Sequence, residues 1–278
     1  MVQIHESVES AQKQKKAQTK QDIAVDESLK KIKNKYIVLS GKGGVGKTST
    51  SVNLSMALAD KGFKVGIMDV DLHGPDVPRM LGLKGMLDLS KNNKLNPIRY
   101  SDNLKVVSIE SMIASKDDAI IWRGPLKYSA IRQFIGEVEW GDLDFLIIDS
   151  PPGTGDEPLT ISQTIHDAKA IIVTTPQEVS LADVRKSISF CRTVKMDILG
   201  LIENMSGLTC PHCNKMVDLF GLGGGEKTAR AAGIAFLGRI PFDPNMVSCG
   251  DNGISFQEKY AESQVAKAFA ELAEKISK

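Results

Sequence analysis

Nowhere in the 278 residues does an apolar run approach the ~20 positions needed to cross a bilayer. The opening stretch, MVQIHESVESAQKQKKAQTKQ, also lacks the apolar core of a secretory signal. A cytoplasmic location is therefore expected. An excess of one charge is missing as well: Lys+Arg 35 against Asp+Glu 34 leaves a net +1. Nothing in that balance drives binding to nucleic acid or to an anionic membrane, and neither partner is expected. Cysteine is scarce. The four present, Cys191, Cys210, Cys213 and Cys249, cannot form the framework of a disulfide-stapled protein, and in a reducing compartment a close pair reads as metal-binding or redox-active. Cys191 and Cys249 stand alone and read as small buried hydrophobes. The chain has no internal repeat of solenoid period.

What is present is the pattern of a large α/β protein. The apolar fraction, 42%, suffices for a real core. Residues 1–34 are rich in Lys, Gln, Glu and Ser and bury too little to fold alone, so a mobile arm, helical in part, is expected there. Residues 35–278 are expected to form one domain. From Tyr36 onward, short apolar runs alternate with helix-length segments: YIVLS, KVGIMDVD, LKVVSIE, LDFLIIDS, AIIVTTP, ILGLIEN and IAFLGRIP. Each run is apolar nearly throughout, as when both faces of a sheet are covered. The fold class expected is α/β, a doubly wound and mostly parallel sheet with helices on both faces. Helices are legible in TSTSVNLSMALADKG, with Gly62 as C-cap, in GPLKYSAIRQFIGEV, in EVSLADVRKSISFCRTV and in the final SFQEKYAESQVAKAFAELAEKISK.

GKGGVGKT, Gly41 to Thr48, satisfies G-x-x-x-x-G-K-[ST] and stands after a strand run and before a helix, the context phosphate binding requires. Nucleotide contacts are expected from Gly41, Lys42, Gly43, Gly44, Val45, Gly46, Lys47, Thr48 and Ser49. The glycines let backbone N–H groups curl around the β-phosphate, Lys47 reaches the β- and γ-phosphates, and the Thr48 hydroxyl ligates Mg²⁺. LIIDSPPGTGD ends a strand with Asp149, where a carboxylate can hold Mg²⁺ through water, and continues into a loop able to sense the γ-phosphate. IMDVDLHGPDVP places Asp69 and Asp71 at another strand end. GLGGGEKT, Gly221 to Thr228, looks like a second phosphate loop but has Glu226 in place of the glycine before the lysine. It reads as a mobile turn with a helix start.

The extra lysine, Lys42, makes the loop resemble the deviant Walker A motif, K-G-G-x-G-K-[ST], of the SIMIBI ATPases, the group of MinD, ParA and the nitrogenase iron protein. That resemblance implies that Lys42 crosses a dimer interface to the partner's nucleotide, so that Lys42, Lys47 and Asp71 are the catalytic residues of a homodimer. In it Asp71 positions the attacking water, and Asp69 is a structural or Mg²⁺-shell group. It also places base contacts on Asn204 and on the loop Pro241 to Pro244, with Asp243. A guanine-type N-K-x-D motif is missing, and ATP is the nucleotide expected.

TCPHC supplies Cys210 and Cys213, two of the four ligands a tetrahedral site needs, and the sequence has no second such pair. In a two-fold dimer the symmetry operator supplies the other two. At this point the assembly resembles the Mrp/ApbC iron–sulfur carriers, from about Tyr36 to Phe256. The motifs GKGGVGKTS, DVDLHGPDVPRMLG, WRGP (Trp122 to Pro125), LDFLIIDSPPGTGD, TTPQEVSLADVRK, ENMSGLTCPHC and PFDP stand in order.

The resemblance implies a slow ATPase that binds a labile 4Fe-4S cluster across two subunits and delivers it to apo iron–sulfur proteins, with ATP and Mg²⁺ as cofactors. The CxxC segment, about 205–225, is read as an insertion in the ATPase domain. The arm has no cysteine, so no second, permanent cluster is expected. Zinc is the rival metal; His212 is either a ligand or a solvated side chain, and WRGP either packs beneath a switch or serves an interface through Arg123. The alternative function is a MinD/ParA-like positioning ATPase with a structural Cys₄ zinc site. Against it, the C-terminal charges balance, and Phe256, Tyr260, Phe269, Leu272 and Ile276 read as a core-facing stripe. Against an electron-transfer ATPase like the nitrogenase iron protein, SPPGTGD carries no cysteine.

Overall fold

A run that is apolar at every position is satisfied only where both faces of a strand are covered, and all seven runs become strands of one sheet. The structure, a computed structural model, describes residues 19–72, 74–90, 94–112, 124–210, 212–213 and 215–278. Its strands are β1 (Ile32–Leu39), β2 (Val65–Asp69), β3 (Ile98–Arg99), β4 (Leu104–Ser108), β5 (Leu143–Asp149), β6 (Lys169–Thr174), β7 (Asp197–Glu203), β8 (Leu208–Thr209), β9 (Met216–Val217) and β10 (Phe236–Arg239). The main sheet runs β10-β7-β6-β1-β5-β2-β4-β3. Every pairing in it is parallel except that of the edge strand β3 with β4. β8 and β9 form a separate antiparallel hairpin.

The helices are α1 (residues 19–29), then α2 (Lys47–Asp60), α3 (Val77–Met80), α4 (Gly124–Gly136), α5 (Asp156–Thr164), α6 (Glu178–Thr193), α7 (Gly224–Ala232), α8 (Pro244–Asn252), α9 (Phe256–Lys259) and α10 (Gln264–Ile276). The pleat sorts the core in two. Tyr36, Val38, Phe145 and Ile147 pack with Leu54 and Leu58 of α2 and with Phe269 and Leu272 of α10. Ile37, Leu39, Leu146 and Ile148 point to the other face and pack with Ile131, Phe134 and Ile135 of α4. Gly62 follows α2 with φ 89, as expected of a residue just past a helix end.

Three expectations change. The boundary at residue 34 runs through β1, whose Ile32 pairs with Leu143. The segment before it is docked over its described part: Val25, 3% exposed, joins the α4 core, and Asp22 pairs with Arg132. Val25, Ser28 and Leu29 fall at helical spacing and give an otherwise polar helix one face to bury. Residues 1–18 lie outside the described residues. The single C-terminal helix is instead two, because Ser255 and Ser263 each accept a hydrogen bond from a backbone N–H three residues on, Glu258 and Ala266, and each starts a helix. The helix start expected in GLGGGEKT is present as α7, described below.

The stripe Phe256, Phe269, Leu272 and Ile276 is buried. Phe269→Ala is expected to lower unfolding free energy by about 3–5 kcal/mol in urea titrations, against about 0.5 kcal/mol or less for Glu271→Ala on the exposed side. Equal effects would place α10 off the core.

Candidate functional site

The site lies at the carboxyl ends of β1, β5 and β2, where the chain, having filled one side of β1, crosses to β6 on the other. Open parallel sheets leave a crevice at such a switch point. The loop from β1 to α2 is held in shape by its own bonds. Ser40 Oγ donates to the Lys42 carbonyl at 2.8 Å, Gly153 N to the Ser40 carbonyl at 2.9 Å, and Asn204 Nδ2 to the Val45 carbonyl at 2.9 Å. Gly46 has φ 83, and a Cβ there would overlap the Asn204 amide. No other residue meets both conditions without strain. Gly41, Lys42, Gly43 and Gly44 lead around this turn, with the Lys42 side chain partly exposed.

Lys47 opens α2 and is 8% exposed. One turn of that helix grips the β5 carboxylate: Thr48 Oγ1 donates to Asp149 Oδ2 and Ser51 Oγ to Asp149 Oδ1, both at 2.7 Å. The sequence reading missed Ser51, although its place three residues after Thr48 puts it on the same helix face.

Asp69 and Asp149 are register partners on β2 and β5, so two buried carboxylates end adjacent strands. Asp69 Oδ1 accepts from Asp71 N at 3.1 Å and Oδ2 from Ser108 Oγ at 3.1 Å. Burial, and then the charge of Asp149, holds Asp69 well above the ordinary carboxylate range. Burial also raises Asp149, against the pull of Lys47, Ser51 and Thr48. Asp71, partly exposed, adds its charge to both. Lys47, Thr48, Asp69, Asp71 and Asp149 thus converge in one place. Buried oxygen donors that carry too little compensating positive charge are the donor set a hard divalent cation such as Mg²⁺ takes.

On the far side of the loop, Asn204 is 5% exposed and its amide is engaged on Val45, so the expected base contact sits on a residue that also braces the phosphate loop. Asp243 accepts from Asn245 N at 2.8 Å and caps α8. With Pro241, Leu208, Thr209 and Gln264 it lines a cleft of 530 Å³.

Cys210 and Cys213 lie in the turn of the β8–β9 hairpin, closed by Cys210 N donating to the Lys215 carbonyl at 2.9 Å. Cys210 is partly exposed and Cys213 exposed. Backbone N–H groups of His212 and Cys213, and then the Cys213 thiol, hold the Cys210 thiol below its ordinary range, which favours the metal-binding thiolate. Among the described residues no group of three or more His, Cys, Asp or Glu side chains is placed to hold a metal. Cys191 and Cys249 are buried elsewhere; burial pushes the Cys191 thiol up to about 11. Trp122 and Arg123 of WRGP lie outside the described residues.

The glycine-rich stretch at 221–228 encloses an anion supplied by the protein itself. Glu203, 0% exposed, accepts from Gly223 N at 3.0 Å and from Gly225 N at 2.5 Å at the start of α7. A carboxylate fills the place a phosphate would take at a helix N-terminus.

A model of the ParA family described as NUBPL iron-transfer P-loop NTPase matches residues 31–277. A protein of Methanocaldococcus jannaschii named iron-sulfur cluster carrier protein is 51% identical over 241 residues, 86% of this chain and 83% of that one. A Dictyostelium discoideum protein named cytosolic Fe-S cluster assembly factor NUBP2 homolog is 48% identical, covering 84% and 91%. Among solved structures, an Archaeoglobus fulgidus nucleotide-binding protein in complex with ADP superposes with TM-score 0.73 at 40% identity, covering 84% and 91%. The septum site-determining protein MinD of Pyrococcus horikoshii, with Mg-ADP, gives 0.66 at 24%, covering 88% and 96%, and shares the fold.

The raised carboxylates have a pH signature. The folded state holds protons on Asp69 and Asp149 that the unfolded chain has already released, so metal-free protein loses stability as pH rises from about 4 upward. Asp69→Asn removes the larger contribution. The wild type's Tm is expected to fall relative to the variant's as pH rises above about 4, and Mg²⁺–ADP to narrow the gap while releasing protons, seen by calorimetry in buffers of differing ionisation enthalpy. Parallel Tm curves would contradict the assignment.

Proposed function

The chain belongs to the ParA-type NUBPL iron-transfer P-loop NTPase family, and on that premise we propose that it is an ATP-hydrolysing carrier of a labile 4Fe-4S cluster. The observation that carries this reading is a folded P-loop site joined, on one chain, to an exposed hairpin with two thiols and, among the described residues, no third ligand. Half a site per chain becomes a whole site in a two-fold dimer. Met216 and Val217 on β9 of the same hairpin, and Leu219 and Leu222 just after it, are exposed, an apolar stretch of the kind that marks a contact surface. A site at such an interface gives up its cargo when the subunits shift, as delivery to apo iron–sulfur proteins needs.

In this reading the loop from Gly41 to Ser49 wraps the phosphates, Lys47 neutralises the β- and γ-oxygens, and Asp71 orients the attacking water. Thr48 and Asp149 would hold Mg²⁺, which supplies charge neutralisation on the phosphates when bound. Lys42, on the exposed rim of the loop, reaches the nucleotide of the partner subunit. The protein works as one ATPase domain with residues 205–225 inserted as the cargo hairpin, and it acts in the cytoplasm, the compartment in the names of its eukaryotic relatives. A positioning ATPase that attaches by its tail fits less well, because the apolar stripe of α10 is buried.

Two experiments test this. Protein loaded anaerobically is expected to restore activity to an apo 4Fe-4S enzyme, and Cys210→Ser with Cys213→Ser to abolish the transfer; a cysteine-free variant that still delivers iron and sulfide would overturn the carrier reading. Lys42→Ala and Asp71→Ala should each lose ATP hydrolysis by about 100-fold or more, and a mixture of the two should recover part of it, since one composite site per mixed dimer is then intact. A mixture as inactive as its components would remove Lys42 from the partner's site.

A further inference from the structure

The chain leaves β7 through two adjacent side chains that serve different parts of the molecule, as successive strand residues point to opposite faces. Asn204 reaches the phosphate loop, bonding the Val45 carbonyl and closing over Gly46. Glu203 points the other way, into the segment that carries the thiols. Its Oε1 accepts from Ser206 Oγ at 2.6 Å and from Gly223 N at 3.0 Å, its Oε2 from Gly225 N at 2.5 Å, and Arg239 Nε lies 3.4 Å from Oε1. Ser206 and Gly223 stand near the two ends of the 205–225 cargo segment, so one buried carboxylate gathers both.

Met205, between Asn204 and Ser206, has φ 54. For a residue with a side chain that conformation is strained and persists only where the surroundings impose it. Two further backbone bonds, Ser206 N to the Ile240 carbonyl at 2.9 Å and Phe242 N to the Gly207 carbonyl at 2.8 Å, fix the base of the hairpin to the loop after β10. Beyond that base Thr209 Oγ1 donates to Gln264 Oε1 of α10 at 3.2 Å, while His212, Cys213, Met216 and Val217, among the described residues, are all exposed.

We propose that Glu203 and Asn204 form the relay by which occupancy of the nucleotide pocket reaches the Cys210–Cys213 hairpin. Glu203 is the positioning residue that holds both ends of the cargo segment to the strand bearing Asn204. This rests on the reading of the P-loop as the nucleotide site and of the two thiols as the cargo end. A ligand in the loop fixes the Val45 peptide, and with it Asn204, the Met205 turn and the carboxylate that gathers Ser206, Gly223 and Gly225. The weakly anchored hairpin is the part free to respond, as segments with few buried contacts are. The short chain of bonds gives the coupling a physical carrier rather than mere proximity.

The test uses the full chain, reduced and metal-free, so that its outcome does not depend on cluster binding. Alkylation of Cys210 and Cys213 by iodoacetamide is followed by mass spectrometry with and without Mg²⁺–ADP, and buried Cys191 and Cys249 serve as slow internal references. ADP is expected to slow alkylation at the hairpin by about fivefold or more in the wild type, the low end of ordinary coupling between sites. In Glu203→Gln the slowing is expected to vanish while ADP affinity, measured by calorimetry, is unchanged. Ser206→Ala, which deletes one hydroxyl, is expected to reduce the slowing partway and stands as the test should the buried glutamine prevent folding. Hairpin thiols indifferent to ADP in the wild type, or a full response kept in either variant, would overturn the relay. A protein that shows the nucleotide response yet delivers no cluster would instead leave the relay standing and remove the carrier reading.

Discussion

Everything at the site depends on where the Asp149 carboxylate sits. It ends β5 in the middle of the sheet, it is buried, and both its oxygens are taken by hydroxyls from the first turn of α2. Those two bonds fasten the helix to the strand at the point where the phosphate loop ends, so the curl of the loop and the position of Lys47 follow from them. Burying a carboxylate costs several kcal/mol unless charge and hydrogen bonds offset it, and here the offset is incomplete. A second buried carboxylate, Asp69, stands beside it in register, and burial raises the affinity of both for protons. The pocket is therefore built around a deficit of positive charge that a divalent cation would fill.

The same logic explains why two glycine-rich turns of similar composition do different things. The turn at 41–48 lies at the crevice of the switch point, with its Lys42 and Val45 carbonyls bonded by Ser40 and Asn204. At 221–228 backbone N–H groups close on Glu203, an anion the chain brings itself. A helix N-terminus takes whichever anion is nearest. The internal carboxylate removes that turn from nucleotide binding and makes it a clamp on the thiol hairpin.

Much of this could be read in advance. The seven apolar runs declare buried parallel strands, and the spacing of GKGGVGKT between a strand and a helix declares the loop. Elements whose stability is tertiary escaped. β3 is a two-residue edge strand, and β8 and β9 are two residues each, too short for any period to show. α1 looked like part of a polar arm because a single small face built on Val25 docks it. Glu203 was hidden inside ILGLIEN as an ordinary strand end; a lone acid closing an apolar run, some twenty residues before a glycine-rich helix start, is the signal that points to it. Asn204 was placed near the nucleotide by resemblance, whereas its bond to Val45 and its link to the hairpin needed coordinates.

On the proposed reading each chain carries a phosphate loop that takes a lysine from its partner and half of a metal site, and both call for the chain to act in pairs. Native mass spectrometry of anaerobically reconstituted protein, read beside its iron and sulfide content, tests that claim most directly. The account predicts a species of two chains carrying a single cluster of about four irons and four sulfides, absent when Cys210 and Cys213 are both serine. A cluster held by one chain alone, or a pair of chains holding only zinc, would contradict it.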